Sequence, residues 1–342
     1  MKKVVISKYG GPDVLKLIDS KMLDIKPNEL LIKTHYAGVN FSEIMARMRL
    51  YPGAPKPPTG IGVEASGIIE KIGNDVTDFK IGDRVMGLCR FSSYASHVVL
   101  DEQMAMQVPE HFDMDHAGAF PLVYMTAYMM IFDQCNIQSG DNILILGAGG
   151  GVGTALIQLA KVAGANVLAA SSSWKHKRLK EMGADKCIDY RQDDWERLIH
   201  DHTGGNGADI IIDPLGAKSW KKMIDCLAPL GKLVIYGDQH MVSGYKINIL
   251  KVIKEFLSIP KYNPLRMMSK NQAVIGFHLG RLMGAEHKIK RSRERLLNII
   301  KEHQLLPVVD CSFDGKEASD AHKYIQDRKN FGKVLIDFKE IG

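Results

Sequence analysis

The sequence predicts an α/β protein in which a doubly wound parallel sheet is inserted into a β-barrel-type domain. Three observations indicate this fold class. A glycine-rich loop follows an apolar strand in the middle of the chain, strands alternate with helical segments beyond that loop, and short strands separated by turns dominate the residues before it. With 342 residues, the chain is long enough for two such domains.

The first predicted domain covers residues 1–121. Residues 30–37 and 66–72 have the apolar character of strands, and turn residues such as those at 73–75 separate them. Four prolines fall within residues 51–58, which predicts an extended loop. We therefore expect a compact, irregular barrel of strands in this part of the chain.

The second predicted domain, residues 122–281, carries a nucleotide-binding signal. Apolar residues 143–146 run into a glycine cluster that opens a helical pattern at 154–161. The backbone N–H groups and the positive dipole end of such a helix start suit a pyrophosphate, and glycines allow its close approach. The loop residues expected to contact a dinucleotide are Ala148, Gly149, Gly150, Gly151, Val152 and Gly153. Because Ala148 replaces the first glycine of the strict fingerprint, an ordinary glycine-rich turn is the alternative.

The elements beyond the loop complete a Rossmann-type sheet. A helical segment follows at 175–182. The further predicted strands are residues 167–170, 187–190, 208–213 and 232–237. Strands that alternate with helices imply a parallel sheet covered by helices on both faces.

The last predicted segment, residues 282–342, returns to the first domain. It contains helical patterns at 292–303 and 318–328 and closes with a strand at 332–337. That strand is expected to rejoin the first domain, which would make the second domain an insertion.

Composition and charge exclude several classes of protein. The chain is 45% apolar and 25% charged, and its net charge of +6 is dispersed, which argues against nucleic-acid binding. No apolar run approaches the ~20 residues that span a bilayer, and the first residues lack a signal-peptide core, so the sequence predicts a cytoplasmic protein. The five cysteines form no C-x-x-C pair, so neither a disulfide framework nor a cysteine zinc site is expected.

Residues 251–268 have two interpretations. They mix apolar residues with Lys251, Lys254, Lys261 and Arg266, as a segment on a lipid surface would. Two prolines interrupt them, so we favour helices that pack over the nucleotide-binding domain with solvated lysines.

Three stretches of the sequence resemble one family. They are residues 37–43, the glycine-containing motifs from 62–67 to 79–85, and the loop at 148–153. Together they are similar to the medium-chain dehydrogenase/reductase superfamily, in its quinone oxidoreductase (zeta-crystallin-like) branch. Residues 213–216, 262–265 and 274–280 further resemble the vesicle amine transport protein subgroup. The resemblance implies a GroES-like first domain, a Rossmann second domain and a C-terminal return.

The same resemblance implies that the chain holds no zinc. Asn40, Val63 and Leu122 stand at the positions of the catalytic zinc ligands in zinc alcohol dehydrogenases of the superfamily. Valine and leucine cannot bind a metal, and asparagine is a poor zinc ligand. Residues 86–98, where four structural cysteines would lie, contain only Cys89. Reduction of an electron-poor quinone or enone is then easier to support than oxidation of an alcohol.

The expected cofactor is NADPH. An NAD site has an acidic residue at the end of the second strand, but residues 169–173 contain none and cations follow them. By resemblance, Ser172 and Lys175 match residues that bind the 2′-phosphate, and Tyr190 matches a residue beside it. A basic, solvent-facing helix start is the alternative.

Candidate residues for the reacting centre follow from the resemblance. Asn40 is expected near the nicotinamide, where its amide would donate to a developing oxyanion, although a residue that caps the next helix is an equal interpretation of the sequence. Tyr51 is expected to line the acceptor pocket or to be a packed loop aromatic. Thr126, Gly237 and Phe277 match positions near the nicotinamide.

The sequence therefore predicts a zinc-independent, NADPH-dependent reductase whose small-molecule acceptor is a quinone or an α,β-unsaturated carbonyl. The alternative is an NADPH-binding, lipid- or membrane-associated regulatory protein with little turnover. An apolar segment at 274–279 is expected at the edge of the Rossmann sheet, where pairing with a second copy would give a homodimer.

Overall fold

The computed structural model describes residues 1–282 and 285–341. The chain forms two compact units. The first unit contains residues 1–123, 243–247 and 300–342, and the second contains residues 124–242 and 248–299. Residues up to 299 thus group with the second unit, whereas the sequence placed the start of the return at 282.

The strands lie close to the segments that the apolar patterns indicated. They are β1 (Lys2–Ile6), β2 (Leu15–Asp19), β3 (Glu29–Val39), β4 (Thr59–Gly60), β5 (Glu64–Ile72), β6 (Arg84–Leu88), β7 (His97–Asp101), β8 (Ala105–Gln107), β9 (Asn142–Leu146), β10 (Asn166–Ala170), β11 (Lys186–Ile188), β12 (Ala208–Asp213), β13 (Leu227–Ile235), β14 (Ala273–Gly276), β15 (Val309–Asp314) and β16 (Lys333–Asp337).

The helices connect these strands. They are α1 (Phe41–Arg47), α2 (Met114–Ala119), α3 (Pro121–Tyr128), α4 (Gly151–Val162), α5 (His176–Glu181), α6 (Arg197–His202), α7 (Ala217–Met223), α8 (Ile249–Leu257), α9 (Pro264–Lys270), α10 (Glu286–Glu302) and α11 (Ala318–Gln326).

The first unit is built around a mixed sheet with the order β15-β16-β3-β5-β6-β8, and β7 also pairs with β3. A smaller sheet has the order β2-β1-β4. Strand β16 runs antiparallel to β3, with Val334 opposite Val39. This pairing confirms that the last strand of the chain rejoins the first domain.

The second unit contains a parallel sheet with the order β11-β10-β9-β12-β13-β14. Residues Ile143 to Leu146 of β9 are fully buried at its centre, as expected for a strand covered on both faces. The chain moves outward from β9 to β10 and β11, and then crosses back to β12. The strand order therefore reverses beside β9, where ligands of such sheets bind.

The segment at 251–268 forms α8 and α9, which are separated by Pro260. Its apolar side chains do not pack as expected, because Leu250, Phe256 and Leu257 are 80%, 67% and 78% exposed. The segment thus forms helices that group with the second unit, as predicted, but the apolar face of α8 does not pack against it. No helix among residues 1–282 and 285–341 is both long enough and apolar enough to cross a bilayer.

Candidate dinucleotide and acceptor sites

The glycine loop joins β9 directly to α4. Gly150 occupies the N-cap position of α4 without a side chain to cap it, so the first N–H groups of the helix point out of its end. A Cβ atom at Gly153 would lie 2.5 Å from the carbonyl oxygen of Ala148, so only glycine fits there. The backbone N–H of Ala148 donates to Ala170 at the end of β10, 3.2 Å away. The loop is thus a tight backbone cradle beside the next strand.

Lys175 lies against this loop and not in open solvent. Its side chain is 8% exposed, and its Nζ lies 3.5 Å from the carbonyl oxygen of Gly149 and 5.0 Å from the ring centre of Trp174. Ser172 precedes the short helical turn Ser173–Lys175. The structure therefore brings Lys175 to the glycine loop, and contradicts the alternative of a solvent-facing helix start for this residue.

A carboxylate that the sequence analysis did not anticipate lies at the end of β10. Asp189 follows β11, and its Oδ2 accepts a hydrogen bond from the backbone N–H of Ser173, 3.1 Å away. Arg191 donates to both oxygens of Asp189 and to the Ser173 hydroxyl, 3.2 Å away. The Arg191 guanidinium holds the pKa of Asp189 well below its usual range. Arg191, a second cation in addition to Lys175, thus neutralises the charge of Asp189.

Three of the residues expected near the nicotinamide, Thr126, Gly237 and Phe277, lie in the second unit. Gly237 and Phe277 line one cavity of about 520 Å³, together with Trp220, Tyr236, His278 and Arg281. Thr126 is buried within α3 and is not among the residues that line this cavity. Tyr190 is half-buried against the apolar core around the sheet.

Asn40 belongs to a buried polar cluster in the first unit. Its Nδ2 donates to Glu64 Oε1, 2.8 Å away, and to Glu43 Oε1, 3.1 Å away. The ammonium group of Lys333 donates to Asn40 Oδ1 and to Glu64 Oε1, the latter at 2.5 Å. The second oxygen of Glu64 accepts from the backbone N–H of Leu122, 2.8 Å away. The amide of Asn40 therefore joins the carboxylates of β5 and α1, and β16 supplies the cation that pairs with Glu64.

This cluster alters the predicted role of Asn40. Both amide hydrogens already bind carboxylates, so the expected donation to an oxyanion is not available in this arrangement. Asn40 does occupy the N-cap position of α1, but its side chain makes no capping hydrogen bond. Burial raises the pKa of Glu43, and the charge of Lys333 opposes that rise.

Tyr51 makes an edge-to-face contact with Phe91, at 6.1 Å between ring centres. It is half-buried in the proline-containing loop. This contact agrees with a packed loop aromatic, and a role in acceptor binding stays a prediction.

Within residues 1–282 and 285–341, Asp113, Asp115 and His116 form the cluster whose geometry could hold a cation. Nδ1 of His116 accepts from the backbone N–H of Asp113, which caps α2. Asn40, which matches a catalytic zinc ligand of the zinc alcohol dehydrogenases, accepts a hydrogen bond from the ammonium group of Lys333.

The sequence analysis missed Glu64, Lys333, Asp189 and Arg191. Glu64 had a detectable signal, because a glutamate within an apolar strand is rarely buried without a partner. Its partner lies 269 positions away, so no local pattern identifies Lys333.

Two family models match the chain. The alcohol dehydrogenase GroES-like domain matches residues 26–110, and the zinc-binding dehydrogenase model matches residues 151–298. The human synaptic vesicle membrane protein VAT-1 homolog is 34% identical over 339 residues, which cover 98% of this chain and 86% of the relative. A quinone oxidoreductase of Pseudomonas aeruginosa is 29% identical and covers 98% of this chain and 99% of its own.

Solved structures match along the whole chain. The crystal structure of the human synaptic vesicle membrane protein VAT-1 homolog-like protein has a TM-score of 0.87 at 29% identity, covering 100% of this chain and 99% of its own. The Escherichia coli quinone oxidoreductase complexed with NADPH has a TM-score of 0.85 at 25% identity, covering 98% of this chain and 100% of its own. Both support the architecture of a GroES-like domain with an inserted Rossmann sheet.

Proposed function

Because the chain belongs to the medium-chain dehydrogenase/reductase superfamily, and is similar to both VAT-1 homologs and quinone oxidoreductases, we propose that it is an NADPH-dependent, zinc-independent reductase of quinones or α,β-unsaturated carbonyls. NADPH supplies the hydride when it is bound. The chain itself holds the dinucleotide and orients the acceptor.

The glycine loop carries this proposal. Gly153 packs directly against the backbone of Ala148, which keeps the loop tight, and no side chain caps the first N–H groups of α4. A pyrophosphate satisfies these donors and the positive end of the helix. The residues present therefore fit a dinucleotide.

The preference for NADPH over NADH rests on two cations at the end of β10. Lys175 and Arg191 lie beside Ser172 and Ser173, and the Asp189 carboxylate is occupied by Arg191. A 2′-phosphate gains charge-assisted hydrogen bonds from such groups. The E. coli quinone oxidoreductase that shares this fold was solved with NADPH.

The first unit contributes a fixed polar cluster near Asn40. Because Lys333, Glu43 and Glu64 occupy its amide, we propose that Asn40 does not donate a hydrogen bond to the acceptor. Solvent or a hydroxyl supplies the proton that completes the reduction. An apolar acceptor of low electron density suits a site without a metal.

A panel of acceptors tests this function. Purified protein is mixed with NADPH or NADH and with simple quinones or enones, and oxidation is followed at the nicotinamide absorbance. We expect turnover with NADPH and much less with NADH. Tight NADPH binding with no turnover on any quinone or enone would contradict the reductase and favour a binding role.

The exposed face of α8 supports a second candidate, a lipid-associated regulatory protein. Leu250, Phe256 and Leu257 are exposed beside Lys251 and Lys254, as in helices that lie on anionic membranes. The VAT-1 relatives are named as synaptic vesicle membrane proteins.

Cosedimentation with phosphatidylserine vesicles tests this second candidate. Leu250→Ser with Phe256→Ser should abolish vesicle binding, whereas Leu230→Ser, which changes another exposed leucine of the second unit, should not. Equal binding by all these variants would exclude α8 as the lipid-contacting face.

A further inference from the structure

Helix α8 is attached to the second unit through a carboxylate. Glu255 is 6% exposed and is the residue of α8 that the structure buries. Its Oε1 accepts a hydrogen bond from the backbone N–H of Ala217 at the start of α7, 2.6 Å away. The neighbouring apolar residues of α8 face outward, so they contribute little to its attachment. Glu255 is therefore the buried side chain that attaches α8 to the start of α7.

A second buried carboxylate faces Glu255. Asp238 follows β13 and is 8% exposed, and neither of its oxygens has a hydrogen-bond partner among the described residues. Gly216 lies between the two side chains. A Cβ atom at Gly216 would lie 2.6 Å from Asp238 Oδ1 and 2.6 Å from Glu255 Oε1. Since both oxygens lie 2.6 Å from this one point, they are within about 5 Å of each other, and no side chain at position 216 separates them.

The surrounding elements provide little positive charge at this point. Their titratable and charged groups are Asp213 at the end of β12, Tyr236 after β13, His240 in the turn 239–241, Lys218, Lys221 and Lys222 of α7, and Lys251 and Lys254 of α8. The α7 lysines are exposed, whereas Lys251 is half-buried one turn before Glu255. Asp213 uses both its oxygens, to accept from Leu215 and Ser219.

We propose that Asp238 and Glu255 share one proton, and that this proton holds α8 against the second unit as a pH-sensitive latch. In the closed form, the O–H of one carboxyl group donates to the carboxylate of the other. Loss of the proton leaves two buried negative charges side by side, and displacement of α8 relieves their repulsion. This latch needs neither cofactor nor acceptor, so it is independent of the proposed reductase activity.

The electrostatic surroundings agree with this geometry. Burial, followed by the repulsion of Glu255, raises the pKa of Asp238 to about 7. A divalent cation fits the pair less well, because Ca²⁺ and Mg²⁺ take about six or more oxygen ligands and Asp213 has none to spare. Since the pKa in the closed form exceeds the ordinary value, docking of α8 should weaken as the pH rises from about 4 to about 7.

Hydrogen–deuterium exchange of the whole protein tests the latch. After correction for intrinsic exchange, protection of the α8 amides should fall about tenfold or more between about pH 5 and about pH 8, with the amides of α4 as reference. Asp238→Asn and Glu255→Gln each remove the repulsion and keep the shape, so both should make α8 protection independent of pH. Asp201→Asn, an exposed carboxylate of α6, should keep the wild-type dependence.

Three results would overturn the latch. Protection of α8 in the wild type would be constant across this pH range, or both variants would keep the wild-type dependence, or millimolar Mg²⁺ or Ca²⁺ at about pH 8 would restore protection. The last result would identify a cation site in place of a shared proton. If Asp238→Asn does not fold, Glu255→Gln decides between these outcomes alone.

Discussion

Replacement of Lys333 by methionine measures how much its buried ion pair with Glu64 contributes to the stability of the first unit. The side chains of Lys333 and Glu64 are 3% and 0% exposed, and Nζ lies 2.5 Å from Oε1. Methionine keeps much of the length of lysine and removes its charge, which leaves Glu64 and Glu43 buried without the ammonium group. Breaking a buried ion pair in this way costs about 3–5 kcal/mol. We expect the free energy of unfolding of the first unit to fall by that amount.

The loss should depend on pH in a defined direction. Burial raises the pKa of Glu43 and Lys333 opposes this rise, so the Lys333→Met substitution raises that pKa further. A carboxyl group whose pKa is higher in the folded state destabilises the protein as the pH rises through that interval. The stability deficit of the variant should therefore be smaller at about pH 5 than at about pH 8.

Amide exchange in β3 and β16 at increasing urea concentrations reports the first unit directly. The three tryptophans, Trp174, Trp195 and Trp220, all lie in the second unit, so their fluorescence serves as an internal control. Lys339→Met is the matched control, because Lys339 forms an exposed pair with Asp337 worth about 0–1 kcal/mol. A Lys333→Met deficit no larger than that of the control, or a deficit constant with pH, would refute the reasoning.

Four other predictions follow from the sites. Lys175→Ala should weaken NADPH binding about tenfold and leave NADH binding nearly unchanged, because one charge-assisted contact is lost; calorimetry that shows equal losses would exclude a 2′-phosphate role. Gly153→Ala should lower both NADPH affinity and the melting temperature, because its Cβ would meet the backbone of Ala148; unchanged values would show that the loop can adjust. Light scattering should give a dimer mass, and Ile275→Pro in β14 should yield monomers or aggregates; a monomeric wild type contradicts this. Elemental analysis should find no stoichiometric zinc, and one zinc per chain would overturn the interpretation of Val63 and Leu122.

Local patterns predicted most of the fold because burial imposes a regular spacing on apolar residues. The uninterrupted apolar residues of β9 indicated a strand covered on both faces, and the loop after it placed α4 correctly. The closing strand was located and paired as expected. The edges of elements were less accurate: β13 begins at Leu227, five residues before the predicted strand, because the glycine at 231 concealed its first half.

The candidate sites depended on contacts that no local pattern contains. The glycine loop was predictable because its residues are contiguous. The engagement of Asn40 was not, because Glu64 and Lys333 reach it from separate strands. Likewise, Asp189 approaches Ser173 only after β10 and β11 pair. The exposure of the apolar face of α8 was not predictable for another reason. An amphipathic pattern does not specify which surface, if any, covers that face.

The pairing of β16 with β3 also constrains the order in which the two units can fold during translation. Lys333 is translated 269 residues after Glu64, a delay of roughly 15 to 50 seconds at ribosomal rates. During that interval the nascent first unit has neither its β16 partner strand nor the cation for its inner carboxylates, whereas residues 124–242 have already emerged. We expect the nucleotide-binding unit to fold on the ribosome before the first unit can close. A ribosome-stalled chain that ends before residue 333 should therefore resist proteolysis in the second unit and be cleaved readily in the first.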